Sequence, residues 1–234
     1  EDIVIRLTAT NRGPDAATLH LLPTVTFRNT WSWGYDATRP IIQRANKHDA
    51  LLVLRHERLG DYWLACDGAP ELLFTENDTN FARLWGGANR STHVKDGIID
   101  AVVHGAESVS TNSTGTKAAA HYTLAVAAGE SGSVLLRLST PRRQRPFEGA
   151  ERLFTQRLAE ADRFYAGLCG ASAGEAANVQ RQAFAGLLWS KQWYMYDVPV
   201  WLRGDPAGPV PPQERWSGRN ATWINLNHAD VLLM

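Results

Sequence analysis

The chain has 234 residues, 44% of them hydrophobic and 21% charged, and its 24 basic side chains are balanced by 24 acidic ones. That length allows one large domain, or one domain and part of a second, with enough apolar material for a core. A neutral balance argues against a phosphate-binding surface, so no nucleic-acid partner is expected, and no apolar run is long enough to span a bilayer, so no membrane partner is expected either.

From residue 3 to about residue 140 the pattern is one of short β-type runs broken by turn residues. Residues 3–10, 18–22, 50–57, 62–66, 71–75, 98–104, 119–127 and 133–139 are the expected strands. In the last, Val134, Leu136 and Leu138 alternate with Leu135, Arg137 and Ser139, which predicts one apolar face and one that turns polar. Asn11-Arg12-Gly13-Pro14, Asp67-Gly68, Asp96-Gly97 and residues 128–132 supply the turns. An antiparallel sandwich or barrel is the architecture that such a series builds.

Within this region, the segment Phe27-Arg28-Asn29-Thr30-Trp31-Ser32-Trp33-Gly34, read as extended chain, places Phe27, Asn29, Trp31 and Trp33 on one side. Two readings are open: an exposed platform for a sugar, or apolar cement between the strands and the helices that follow.

After the proline-flanked basic connector at 141–146 the period changes from two residues to about three and a half. Over 147–168, Leu153, Phe154, Leu158, Ala161, Phe164, Tyr165 and Leu168 form one stripe, with Glu151, Arg152, Arg157, Glu160 and Arg163 outside it. A second, longer helix is expected over about 174–196, with Val179, Ala183, Phe184, Leu187 and Leu188 on its buried face. Its carboxyl end gathers Trp189, Lys191, Gln192, Trp193, Tyr194 and Tyr196. Flat aromatic faces suit the C–H side of a sugar ring, and amide or ammonium groups suit its hydroxyls. Core packing is the competing reading of the same residues. Of this set, Trp189, Lys191, Gln192 and Tyr194 are the candidate substrate-binding residues. The run 199–212, dense in proline and glycine, predicts a long surface loop, and 216–234 shows no clear period.

Other chemistry finds little support. There is no Gly-x-Ser-x-Gly elbow and no phosphate-binding loop, and the seven histidines show no His-x-x-x-His spacing, so neither metal nor cofactor is expected. Cys66 and Cys169 have no metal-like or redox-like spacing, and no secretory leader precedes them, so a reducing, cytoplasmic setting is expected. The sequons at Asn77, Asn89, Asn112 and Asn220 then carry no sugar. Among carboxylates, Glu76 and Asp78 lie in a polar loop where acceptors commonly serve turn backbone. Asp197 and Asp230 are both suggestive, although an acid at a helix carboxyl end opposes the dipole and needs another reason to be there.

Taken together, several stretches resemble bacterial members of glycoside hydrolase family 63, glucosidases acting on α-glucosides and oligosaccharides. They are His20-Leu21-Leu22-Pro23-Thr24 running into Phe27 to Gly34, Leu73-Phe74-Thr75-Glu76-Asn77, Val94-Lys95-Asp96-Gly97 with Val103-His104-Gly105, and Gly115-Thr116-Lys117-Ala118-Ala119-Ala120-His121-Tyr122. The strongest runs from Gln180 to Gln192 and is followed by Tyr194 and Asp197.

The resemblance implies a β-sandwich before an (α/α)6 barrel, with an inverting pair of carboxylates about 6.5–9.5 Å apart at the barrel mouth. In the family the acid is an Asp in an aromatic-rich segment beyond the point matching 227–234, and the base lies further on. The expectation is therefore a mainly β chain with α structure at its carboxyl end. It divides into a sandwich over 1–140, a linker and helix over 141–170, and over 171–234 the first helix and loop of an incomplete (α/α)6 barrel. No catalytic residue is expected within it. Its apolar helix stripes would seek partners, which makes a homo-oligomer the expected state and an oligosaccharide the substrate of the intact parent. A non-catalytic carbohydrate-binding or scaffolding sandwich protein is the alternative.

Overall fold

The computed structural model describes residues 2–36, 38–169 and 174–233. It is mainly antiparallel β structure, with its longest helices toward the carboxyl end. Two compact units divide it: the residues up to Trp31 together with Asp36–Glu148, and Ser32–Tyr35 together with the residues from 149 onward.

In the first unit, strands β1 (Asp2–Thr10), β4 (Ile41–Arg44), β5 (Leu51–His56), β6 (Gly60–Cys66), β8 (Thr114–Gly115) and β10 (Ser131–Ser139) form one sheet in the order β1-β10-β6-β5-β4-β8. A second sheet is built on β9 (Lys117–Val126), which pairs with β2 (Ala17–Leu21), β3 (Thr24–Thr26) and β7 (Glu71–Thr75). Leu21 faces Tyr122 and Thr24 faces Ala119. In register, then, β2 and β3 are one strand interrupted at Pro23, which has no N–H to give but whose carbonyl still accepts from the Ala120 amide at 3.0 Å.

Alternation along these strands sends Ile42, Leu52, Leu54 and Leu64 of one sheet and Leu72, Phe74, Ala118, Ala120 and Tyr122 of the other into a single core. The opposite face of the β9 sheet is covered too, with Leu73 and Ala119 packing on Ile98.

Ile98 overturns one expectation. Residues 98–104, β-branched enough to read as a strand, form helix α2 (Gly97–His104), which follows the short α1 (Phe81–Trp85). Burial of Ile98 against Leu73 and Ala119 outweighs local propensity here. Gly105, at φ 64°, closes the helix by donating its amide to the Ala101 carbonyl, and the Ala106 amide donates to that of Asp100. A Cβ on Gly97 would stand 2.3 Å from the Ser108 carbonyl oxygen, so only glycine lets the helix begin this close to the returning chain.

The polar face of β10 also differs from expectation. Arg137 and Ser139 are buried. Arg137 donates from Nε to Asp2 at 2.8 Å and from a terminal nitrogen to the Pro146 carbonyl at 2.8 Å, so the connector after β10 lies over this face and supplies the acceptor that a buried guanidinium requires.

In the second unit, helix α3 (Ala150–Cys169) is followed by α4 (Gly174–Trp189), strand β11 (Lys191–Asp197), helix α5 (Val198–Arg203) and strand β12 (Asn227–Leu233). Arg181 of α4 reaches α3, ion-paired to Asp162 at 2.5 Å and lying 4.9 Å over the Tyr165 ring. Much of the apolar stripe on both helices remains exposed: Leu158 is 61% accessible, Val179 59% and Trp189 87%, with Phe164, Leu187 and Leu188 also on the surface.

The helix expected to continue to residue 196 ends at Trp189. Ser190 turns its hydroxyl back to the Leu187 carbonyl at 2.9 Å, and the chain then pairs residue by residue with β12, from Lys191 facing Leu233 to Asp197 facing Asn227. Trp193, Tyr194 and Tyr196 are strand formers, and the tail without a clear period provides their partner strand. Nor is the proline-rich run a loop throughout: Pro199 sits in the first turn of α5, where a missing N–H costs nothing.

Candidate functional site

The β11–β12 ladder separates two surfaces, because side chains alternate along each strand and directly opposed residues share a face. Gln192, Tyr194 and Tyr196 lie on one face with His228, Asp230 and Leu232. Lys191, Trp193 and Met195 lie on the other with Ala229 and Val231.

The first face is aromatic and polar. The Tyr194 ring lies 6.4 Å from Tyr196 and 6.5 Å from His228, and Tyr196 lies 6.4 Å from Trp201 of α5. Arg215 continues the row, 4.9 Å over the Trp201 ring and donating to the Trp201 carbonyl at 2.9 Å. Such a surface offers apolar ring faces, a phenol, an amide, an imidazole and a carboxylate, the mixture that suits a polyhydroxylated ligand. The second face, with Trp193, Met195 and Val231 all exposed, is apolar apart from Lys191 at its end.

Of the four residues singled out in the sequence, Gln192 and Tyr194 therefore come together, while Lys191 points to the opposite face and Trp189 belongs to the end of α4. Their grouping assumed a helix, in which residues 191, 192 and 194 crowd one end; a strand deals them alternately. Tyr196, gathered with them in the sequence though not one of the four, joins the face, and His228 and Trp201 join it unanticipated. The signal available was the alternation Gln192, Tyr194, Tyr196, masked because apolar and aromatic residues occupy the intervening positions as well.

Asp197 has a structural occupation. It precedes α5, and its Oδ1 accepts from the Val200 amide at 2.9 Å, so the carboxylate stands at a helix amino terminus, where the dipole favours it.

In the first unit, Glu76 and Asp78 converge on one guanidinium. Arg39 reaches Glu76 Oε2 at 2.7 Å and Asp78 Oδ2 at 3.3 Å from the same nitrogen, and lies 5.3 Å over the Trp31 ring. Asp78 is buried and also accepts from Asn29 at 2.9 Å and from the Ser91 hydroxyl, while Glu76 accepts from the Thr116 amide at 3.0 Å and its hydroxyl at 2.6 Å. Two oxygens sharing one donor at these distances stand closer than the roughly 6.5–9.5 Å that an inverting acid–base pair needs for its water. Their bonds tie the loop after β7 to the segments at Asn29, Arg39 and Thr116.

The segment 27–34 is not extended: it turns through a 3-10 helix at Trp31–Trp33. Phe27 packs against the core and Asn29 serves Asp78; Trp31 belongs to the first unit, whereas Trp33, whose carbonyl accepts from the Ala207 amide at 3.0 Å, belongs to the second. Both indoles are half-buried. Among the described residues, no group of three or more His, Cys, Asp or Glu is placed to hold a metal ion, and no helix is long and apolar enough to cross a membrane.

No protein-family model matches the chain. It is 30% identical to the uncharacterized protein YMR196W of Saccharomyces cerevisiae, in an alignment of 274 residues that takes in 100% of this chain and 25% of the yeast protein. The chain thus spans about a quarter of the length of this curated relative.

Proposed function

We propose that this chain is part of an inverting, glucosidase-like hydrolase of the family 63 kind, acting on α-glucosidic oligosaccharides. In this reading the two-sheet unit is a sandwich, α3 is the linker helix and α4 is the first helix of an (α/α)6 barrel. The observation that carries it is the aromatic and polar face of the hairpin, which gathers Gln192, Tyr194, Tyr196, His228 and Asp230; in this reading they are one wall of a sugar site. The acid and base are assigned to residues outside this chain, because Glu76 and Asp78 share one arginine, Asp197 caps a helix, and Asp230 has no opposed carboxylate on its face.

The exposed stripes on α3 and α4 support the same reading, since surfaces of that kind are covered in a barrel by neighbouring helices. In the isolated chain they are proposed to drive self-association. Sizing chromatography should then show an oligomer, and a clean monomer that binds no apolar dye would contradict it.

A single wall open to solvent covers little of a ligand, so the isolated chain is expected to hold sugar only weakly. Titration with glucose and short α-glucans, followed by tryptophan fluorescence, should show no saturable quenching in the millimolar range, about −4 kcal/mol. Saturable quenching abolished by Trp31→Ala would instead favour a free-standing carbohydrate-binding module.

A further inference from the structure

On the β9 sheet, three side chains line up across three strands. Glu71 of β7 stands directly opposite His121 of β9, and His20 of β2, paired with Thr123, is the diagonal neighbour of His121 on the other side. His121 Nδ1 lies 3.5 Å from Glu71 Oε2, and its Nε2 lies 2.8 Å from His20 Nδ1, with ring centroids 5.1 Å apart, so the two rings meet edge to edge through these nitrogens.

We propose that His20 and His121 together bind a divalent cation of the Cu2+ and Zn2+ class, with Glu71 as a positioning residue. This inference is independent of the sugar reading. A carboxylate beside Nδ1 favours the tautomer that carries its proton there, which leaves the Nε2 lone pair directed at His20, the carboxylate–histidine–metal arrangement of many metal sites. With its proton on Nδ1, His20 donates to that lone pair in a hydrogen bond; with its proton on Nε2, a second lone pair meets the first across the gap, and a metal ion between them makes that arrangement favourable.

Metal–nitrogen bonds of about 2.0–2.1 Å at a tetrahedral angle need the nitrogens about 3.3 Å apart with their lone pairs turned toward one point, so the pair must open by roughly half an ångström and the rings must tilt out of line. His20 is exposed on an edge strand, which leaves its ring free to move that far. Two imidazoles exclude the hard cations, which demand oxygen ligands, and favour Cu2+ over Zn2+. With only two protein ligands, the remaining positions fall to water and binding is exchangeable.

Titration of the purified chain with Cu2+, read by calorimetry and electron paramagnetic resonance, tests this. One exchangeable Cu2+ per chain with nitrogen coordination is expected. It should be lost in the double variant His20→Ala/His121→Ala, weakened about tenfold by Glu71→Gln, released on acidification as protons compete for the same lone pairs, and unaffected by excess Mg2+. Circular dichroism should confirm that the variants keep their fold, which is expected because neither histidine belongs to a core cluster. A double variant that stays folded and binds Cu2+ with unchanged stoichiometry and affinity would overturn the proposal, as would a wild-type chain that binds none; the pair would then be a shared-proton contact alone.

Discussion

Tyr194 and Asp230 stand directly opposite each other in the β11–β12 ladder, so a phenol and a carboxylate project from the same face with Gln192 and His228 beside them. Neither is buried, and neither belongs to a core cluster of the fold. The function proposed for this face and the stability of the fold therefore separate.

That separation can be measured. Tyr194→Ala should lower stability by less than about 1 kcal/mol, the scale of an exposed cross-strand pair, as read by thermal unfolding. Phe74→Ala, removing a side chain only 1% exposed, should cost about 3–5 kcal/mol. Equal losses for both would mean that the hairpin face is structural.

Asp2 gives the fold an acid sensitivity. The hydrogen bonds from Arg137, helped by the charges of Arg137 and Arg143, hold its carboxyl below the usual carboxylate range despite an opposing desolvation. A depressed folded-state pKa stabilises above the unfolded value, about 3.9, and that contribution is lost as pH falls through the folded value. Asp2→Asn should cost about 1–3 kcal/mol near neutrality, because it leaves the buried Arg137 short of an acceptor, and should flatten the pH dependence of stability below about pH 4. Urea unfolding at several pH values checks both.

Gly115 joins β8 to β9 beside the buried Thr75, and a Cβ there would lie 2.2 Å from the Thr75 carbonyl oxygen. Neither backbone can yield without disturbing the bonds from Thr116 to Glu76. Gly115→Ala should therefore destabilise by about 1–3 kcal/mol or more, whereas Gly60→Ala, with open space at its Cβ but φ at 77°, should cost only the backbone strain, on the order of 1 kcal/mol. Denaturant midpoints of the two variants give the comparison.

Burial in the core pushes the Cys66 thiol up to about 12. Almost no thiolate exists at neutral pH, and the thiolate is the reactive form. Peptide mapping after iodoacetamide treatment should find Cys66 unmodified in native protein and modified in urea; rapid native labelling would show that the sheet opens readily.

The sheets were legible in the sequence because short β-type runs broken by turn residues mark β1, β5, β6, β7, β9 and β10, whereas strict alternation is not what their burial shows: Leu51–Leu54 of β5 and Leu72–Thr75 of β7 are buried on both faces. Residues 98–104 were not, since Ile98, Ile99, Val102 and Val103 suit either structure locally and the decision falls to packing on Leu73 and Ala119, which no local pattern displays. The hairpin failed for a related reason. Residues 187–197 are dense enough in apolar and aromatic side chains to fit a helical period, and their strand partner lies some forty residues away beyond α5 and a proline-rich stretch. Gln192 and Tyr194 could be picked out by residue type, but the side chains that share their face required the register.

Hydrolysis is the most direct test of the central claim. This chain and the full-length yeast relative, incubated separately with an α-linked gluco-oligosaccharide, can be followed by proton NMR for the anomer first released. The account predicts β-configured product from the full-length relative and no turnover by this chain. Turnover by this chain alone that disappears in Asp230→Asn, or α-configured product from the relative, would contradict it.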